Sequence, residues 1–237
     1  MSYEEKVREE VFQWRKKMTK KSTLLNRASK TVQTKINERI PEKAHQIITE
    51  AIKKMVQATL VGSEFTTSIN DVSSSLPFEE KESRVISKIN TYKRTAAVEG
   101  AGTGAGGILL GLADFPLLLS IKMKFLFDAA ALYGFDTKNY EERIFILQIF
   151  QLAFSSDKHR AETLEIIENW EDRKAELVEV DWRAFQQEYR DYIDFVKMLQ
   201  LIPGIGAIVG AYANYNLLDQ LGETAMNCYR LRLLDGI

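Results

Sequence analysis

Residues Ile144–Phe154 read IFILQIFQLAF, eleven positions of which only Gln148 and Gln151 are polar. A segment apolar on every side has no face to give to water, so it is expected as a helix at the centre of the molecule. The rest of the chain arranges itself around that expectation. Upstream, an apolar run ends at Tyr133-Gly134, where glycine suits the left-handed residue that closes a helix. Downstream lie two charged helical stretches, near 157–177 and 181–199. Earlier still, Val7, Val11, Trp14 and Met18 recur at helical spacing, as do Leu25, Ala28, Val32, Ile36 and Ile40 up to Pro41. Ile48, Ile52, Met55 and Val56 mark a third helix ending near Gly62, and Val85, Ile86, Ile89 and Tyr92 a fourth. The stretch Ser63–Pro77, rich in Ser and Thr, reads as a loop. Asp114, two residues before Pro116, reads as the N-cap of a new helix, and Gly222 as the residue preceding the last one. No run alternates with period two, so the expectation is an all-α protein of about nine helices. Residues 1–62 form basic N-terminal helices, 63–77 a loop and 78–237 a helical core, continuous as one domain.

Composition narrows the class. With 237 residues, 45% hydrophobic and 27% charged, the chain is a folded globular protein, not collagen, a disordered segment or a disulfide scaffold. The single cysteine, Cys228, cannot form an internal disulfide or a cysteine metal cage, and it fits a reducing cytoplasm as a small buried side chain. The N-terminus is charged throughout and lacks the apolar core of a secretory signal. A net charge of −1 conceals an uneven distribution. Residues 1–60 carry 14 Lys/Arg against 7 Asp/Glu, whereas residues 141–200 carry 8 against 14. The two regions either attract one another within the fold or point apart and orient the molecule on an anionic surface.

Ten of the thirteen glycines fall in 100–111 or 204–222. Gly102-Thr103-Gly104-Ala105-Gly106-Gly107 matches a dinucleotide fingerprint by count, but the residues before it look helical and no strand precedes it. The spacing of four is more informative: Gly100/Gly104, Gly107/Gly111 and Gly206/Gly210 are small-xxx-small pairs that let backbones approach closely. Each interior glycine costs about 1 kcal/mol of helix propensity against alanine, which close packing must offset. That packing belongs either to a soluble core or to a bilayer. Fourteen uncharged residues separate Glu99 from Asp114, only about 21 Å of helix. Met198–Leu218 is free of charge for 21 residues but contains Pro203, Asn214 and Asn216. Neither is a good independent transmembrane helix. Each suits a buried hairpin or a shallow membrane insertion.

From Val11 to Asn37 there are eight Lys/Arg and no acid, including Arg15, Lys16, Lys17, Lys20 and Lys21 beside Trp14. A basic amphipathic helix with an aromatic attaches to anionic membrane surfaces at about 1 kcal/mol per cation. Nucleic acid would attract the same charge, but no reading motif accompanies it. A solvated helix face is the plain alternative. Catalytic constellations are poor. Glu42 and His45 have half-site spacing without the partner half, His159 sits in a charged run, and Asp114, the carboxylate interrupting an apolar stretch, is explained as a cap. No nucleophile–base pair, metal site or cofactor is expected.

These landmarks, taken in order, resemble the EcsC family of bacterial proteins over nearly the whole chain. The residues concerned are Ile40-Pro41-Glu42-Lys43-Ala44-His45, the glycine block running into Asp114-Phe115-Pro116, Tyr133-Gly134-Phe135-Asp136 and Tyr140-Glu141-Glu142-Arg143. The C-terminal part adds Pro203-Gly204-Ile205-Gly206 through Gly210-Ala211 to Asn214, and Arg230-Leu231-Arg232. The resemblance implies a helical protein whose namesake is encoded beside the ATPase and membrane subunits of an ABC transporter linked to secretion. It supplies no catalytic residues. The expected function is a non-enzymatic accessory protein at the cytoplasmic face of the membrane, contacting anionic lipid and ABC transporter subunits. A helical carrier for a lipid or peptide in an apolar groove is the alternative, and a hydrolase using Asp114 or His45 a third.

Overall fold

The computed structural model describes residues 2–19, 42–62, 65, 75–104, 107–155, 157–179 and 207–234. Among them are eight helices and no strand: α1 Tyr3–Thr19, α2 Glu42–Val61, α3 Phe78–Gly104, α4 Gly107–Tyr133, α5 Tyr140–Phe154, α6 Asp157–Glu168, α7 Trp170–Glu179 and α8 Ala207–Leu233. The all-α class expected from the sequence is met, with eight described helices against about nine expected. The stripe at 25–40, the charged stretch at 181–199, Pro203–Gly206 and nearly all of 63–74 lie outside the described residues.

The ends of the helices follow from local chemistry. At α1, the Glu5 amide donates to Ser2 Oγ at 3.1 Å and the Ser2 amide to Glu5 Oε2 at 2.7 Å, a reciprocal capping box. Gly62 closes α2 with φ +78° and an amide bond to the Ala58 carbonyl at 2.8 Å. Gly134 closes α4 with φ +98°; its amide reaches Ala131 O, and that of Phe135 reaches Ala130 O, the two bonds of a Schellman motif.

The centre is α5, as its composition demands. From Ile144 to Phe154 every residue is buried, and the helix touches α2, α4, α6, α7 and α8. Beside it stands a trio of long helices, α3, α4 and α8, each packed on the other two, with α4 and α8 touching α5. Contacts of Glu82 with Arg230 and of Lys93 with Asp219 make α3 and α8 antiparallel. Glu82 with Tyr133 and Lys88 with Asp128 do the same for α3 and α4. The α1 stripe buries Val7, Val11 and Trp14, the first two in a small cluster with Leu234.

Three local readings of the sequence are corrected. Asp114 is not an N-cap: α4 begins at Gly107 and runs through Asp114 and Pro116. Pro116 lies on the exposed side, so its ring needs no room in the core. An interior proline costs about 3 kcal/mol, and burial of Phe115, Leu118 and Leu119 at about 1.5–3 kcal/mol each outweighs it. Gly222 does not precede the last helix but lies inside α8. A Cβ there would meet Ile89 Cδ1 and Cγ1 of α3 at 2.8 Å, so the glycine lets α3 and α8 pack closely at this level. The charged stretch 157–177 is interrupted at Asn169, whose amide still bonds Glu165 O while its own carbonyl accepts from Asp172 and Arg173. The helix marked by Val85, Ile86, Ile89 and Tyr92 is α3; of these Val85 and Ile89 are buried and Ile86 is 46% exposed.

Candidate functional site

Three buried carboxylates organise the polar interior. Glu82, on α3, is completely buried, and all four of its lone-pair positions are occupied. Arg230 of α8 donates Nε to Oε1 at 2.6 Å and Nη2 to Oε2 at 2.8 Å. The hydroxyls of Tyr133 on α4 and Tyr3 on α1 complete the set at 2.9 and 2.8 Å. One carboxylate thereby joins four helices. Burial opposes the Arg230 charge, but the bond to Glu82 and the field of that carboxylate outweigh it and hold the guanidinium above its ordinary value. Arg230 also reaches Glu10 of α1 at 3.1 Å.

Glu142 of α5 repeats the arrangement. It accepts from Arg232 at 2.7 Å and from the Tyr229 hydroxyl at 2.8 Å, both on α8. The Arg232 guanidinium is sandwiched between the rings of Phe135 and Phe145, at 4.0 and 4.3 Å. Desolvation raises the Glu142 pKa despite the opposing effect of Arg232, and burial with Glu142 alongside raises the Tyr229 phenol far above its ordinary value. Asp128 of α4 is the third: it takes Lys88 and Lys124 at 3.1 Å each and the Tyr92 hydroxyl at 2.9 Å. Each carboxylate is thus met by at least one cation and one tyrosine, a chemistry that fixes helices in register and leaves no lone pair of Glu82 for proton transfer.

Lys122 of α4 differs. It is completely buried, its ammonium nitrogen lies 3.3 Å from Asn214 Oδ1 of α8 and 3.5 Å from the Leu118 carbonyl, and desolvation pushes its pKa down to about 7. Among the described residues no three His, Cys, Asp or Glu side chains come together to hold a metal ion. Cys228 is buried, and desolvation raises its thiol pKa, as suits an inert core position.

The residues expected to touch a membrane or partner are dispersed. Trp14 is core, 4% exposed. Arg15 pairs with Glu168 of α6 at 2.5 Å and Lys17 with Glu223 of α8 at 3.2 Å, while Lys16 is exposed. Lys20 and Lys21 lie outside the described residues. Gly100 and Gly104 fall in the final turns of α3, Gly107 and Gly111 in the first turns of α4, and Gly210 in the first turn of α8. Gly206 is outside the described residues. Asp114 is partly buried within α4, and His45 lies on α2. His159 contacts Glu162 at 3.1 Å. Sequence reading missed Glu82, Asp128, Glu142 and Lys122 as a group. For Lys122 and Asp128 a signal existed, since both interrupt the apolar run 115–133; Glu82, inside the charged run FEEKES, had none.

Fold and site together define an all-helical protein whose buried charges act as helix clasps. The chain belongs to the EcsC protein family, whose model matches residues 5–234. It is 55% identical to Protein EcsC of Bacillus subtilis (strain 168) over 226 residues, covering 95% of this chain and 94% of that protein. It is also 35% identical to the uncharacterized protein YdbA of the same organism over 141 residues, covering 58% of this chain and 52% of that protein. No solved structure matches it. Several residues that carry the family resemblance, Tyr133, Phe135, Glu142, Arg230 and Arg232, meet in the two clasps on α8.

Proposed function

We propose that this protein is a non-enzymatic accessory factor at the cytoplasmic face of the membrane, associated with an ABC transporter or protein-secretion system. The observation supporting the non-enzymatic part is the pairing of the three buried carboxylates. Glu82 has four donors, and Glu142 and Asp128 are each bound to a cation and a phenol, so these groups hold helices together. No helix among the described residues is long and apolar enough to cross a membrane. The membrane role therefore falls to the surface: the basic N-terminal region with exposed Lys16, and the uncharged glycine-bearing segments. The carrier reading has less behind it. A groove of about 430 Å³ between α1 and α8 is bordered by Trp14 but also by Glu9, Glu10, Lys17, Glu223 and Arg230, whose charges largely answer one another.

The test is flotation of the purified protein with anionic and neutral vesicles across a salt series. Binding to anionic vesicles that weakens with salt is expected. Recovery in the unbound fraction under every condition overturns the surface role. Co-purification with the transporter's membrane subunits tests the partner.

A further inference from the structure

The two sides of α1 have different surroundings. Val7, Val11 and Trp14 are buried where the helix packs on α8 and α6. Phe12 lies on the other side and is 53% exposed, more than any other aromatic side chain among the described residues. A lone exposed ring is ordinary on a protein surface; its neighbours are what single this one out. Arg8 and Lys16 stand one turn before and one turn after it, each within about 40° of its direction around the helix.

The other cations of α1 are engaged within the protein. Lys6 pairs with Glu10 at 3.7 Å, Arg15 with Glu168 at 2.5 Å and Lys17 with Glu223 at 3.2 Å. Arg8 and Lys16, the two beside Phe12, take no ion-pair partner among the described residues. Two carboxylates share this side of the helix, Glu5 and Glu9. Glu5 accepts from the Ser2 amide at 2.7 Å in the capping box, and Glu9 accepts from Gln13 Nε2 at 2.7 Å. Both lie N-terminal to Phe12, whereas Phe12–Thr19 contains Arg15, Lys16 and Lys17 and no acid. From the ring onward the helix is cationic.

We propose that Phe12, with Arg8 and Lys16, is the point at which this protein seats on an anionic lipid surface, the ring entering between headgroups and the two cations meeting lipid phosphates. The inference rests on the membrane-surface reading above and names its anchor, a ring other than Trp14, which is already buried in the core. The contact needs no rearrangement, because all three side chains lie away from the packed side of α1. Lipid is the partner this face fits. A stable protein interface covers about 800 Å² on each partner around an apolar centre, whereas here one ring stands among charged and polar side chains on the outside of a helix. A headgroup layer accepts a single ring, and each cation near it adds to the attraction. With one ring and two cations, the contact is weak and sensitive to salt.

Flotation compares the parent, Phe12→Ala and the double change Arg8→Gln with Lys16→Gln on vesicles of phosphatidylglycerol with phosphatidylcholine, and of phosphatidylcholine alone. None of the three side chains is buried, so helix content by circular dichroism and the thermal midpoint are expected to match the parent. Phe12→Ala is expected to weaken binding to the anionic vesicles about tenfold, and the double change to remove most of its salt dependence. An environment-sensitive fluorophore at Phe12→Cys, in a Cys228→Ala background, is expected to shift to the blue on these vesicles, and one at Asn90→Cys, exposed on α3, to stay unshifted. Full binding by Phe12→Ala, or equal shifts at positions 12 and 90, overturns Phe12 as the anchor and leaves the membrane-surface reading standing. Full, salt-sensitive binding by the double change overturns the part given to Arg8 and Lys16. Failure of the parent to float with anionic vesicles at any salt concentration overturns both the anchor and the surface reading.

Discussion

Lys122 differs from the other buried charges among the described residues. Glu82, Asp128 and Glu142 are met by opposite charge, whereas Lys122 has an amide oxygen at 3.3 Å and a carbonyl at 3.5 Å. Its pKa is pushed down to about 7 by desolvation. Between about pH 7 and the ordinary lysine value of 10.5, the unfolded chain holds a proton that the native protein lacks, so stability rises with pH across that window. Lys122→Met is therefore expected to stabilise the protein at pH 7–8, with the advantage over the parent shrinking on the order of 1 kcal/mol per pH unit toward pH 10. Denaturant midpoints measured at several pH values decide it; a constant difference contradicts the burial. At the Glu82 clasp the order reverses. Glu82→Ala or Arg230→Ala alone leaves a buried partner uncompensated and is expected to cost about 3–5 kcal/mol, whereas replacing both by apolar residues of similar size costs much less. A double-mutant cycle by urea denaturation measures the difference.

At the scale of the helix, glycine has two distinct roles here, and sequence spacing does not separate them. Gly134 is required by conformation: with φ at +98°, any other L-residue is strained. Gly222 is required by space. Alanine is the better helix former by about 1 kcal/mol, yet a Cβ at 222 would sit 2.8 Å from two Ile89 carbons. Gly222→Ala is expected to lower thermal stability, and Ile89→Ala in the same chain to recover part of the loss. A simple gain from Gly222→Ala would show that α3 and α8 can part without cost. The positions of α1, α2, α5 and the Gly134 terminus were legible beforehand because each rests on local periodicity or a local cap. The start of α4 and the true place of Gly222 were not. There a proline or glycine with local breaking character is overruled by burial contributed from other helices.

Across the whole molecule, the split between a basic N-terminus and an acidic region is closed internally at one point, where Arg15 of α1 reaches Glu168 of α6; Lys17 pairs instead with Glu223 of α8, outside that acidic region. These half-exposed pairs contribute little, on the order of 0–1 kcal/mol. Arg15→Ala is accordingly expected to lower stability slightly, by less than about 1 kcal/mol. Lys16→Glu, at an exposed position, is expected to leave stability unchanged and reduce flotation with anionic vesicles. Equal loss of flotation from both substitutions would place the whole basic face on the membrane and make the Arg15–Glu168 contact incidental to orientation.

The amino-acid sequence by itself determined the all-α class, the central place of Ile144–Phe154 and the family, because helical periodicity, an all-apolar segment and an ordered set of landmarks are properties of the linear chain. Only the tertiary structure decided which charges are paired. Glu82 stands 148 positions from Arg230 and 51 from Tyr133, and nothing local distinguishes it from its acidic neighbours. Such partners are selected by the register between helices. That register is set by how whole apolar faces interlock, and a charge becomes a clasp or a surface contact according to where the interlocking leaves it.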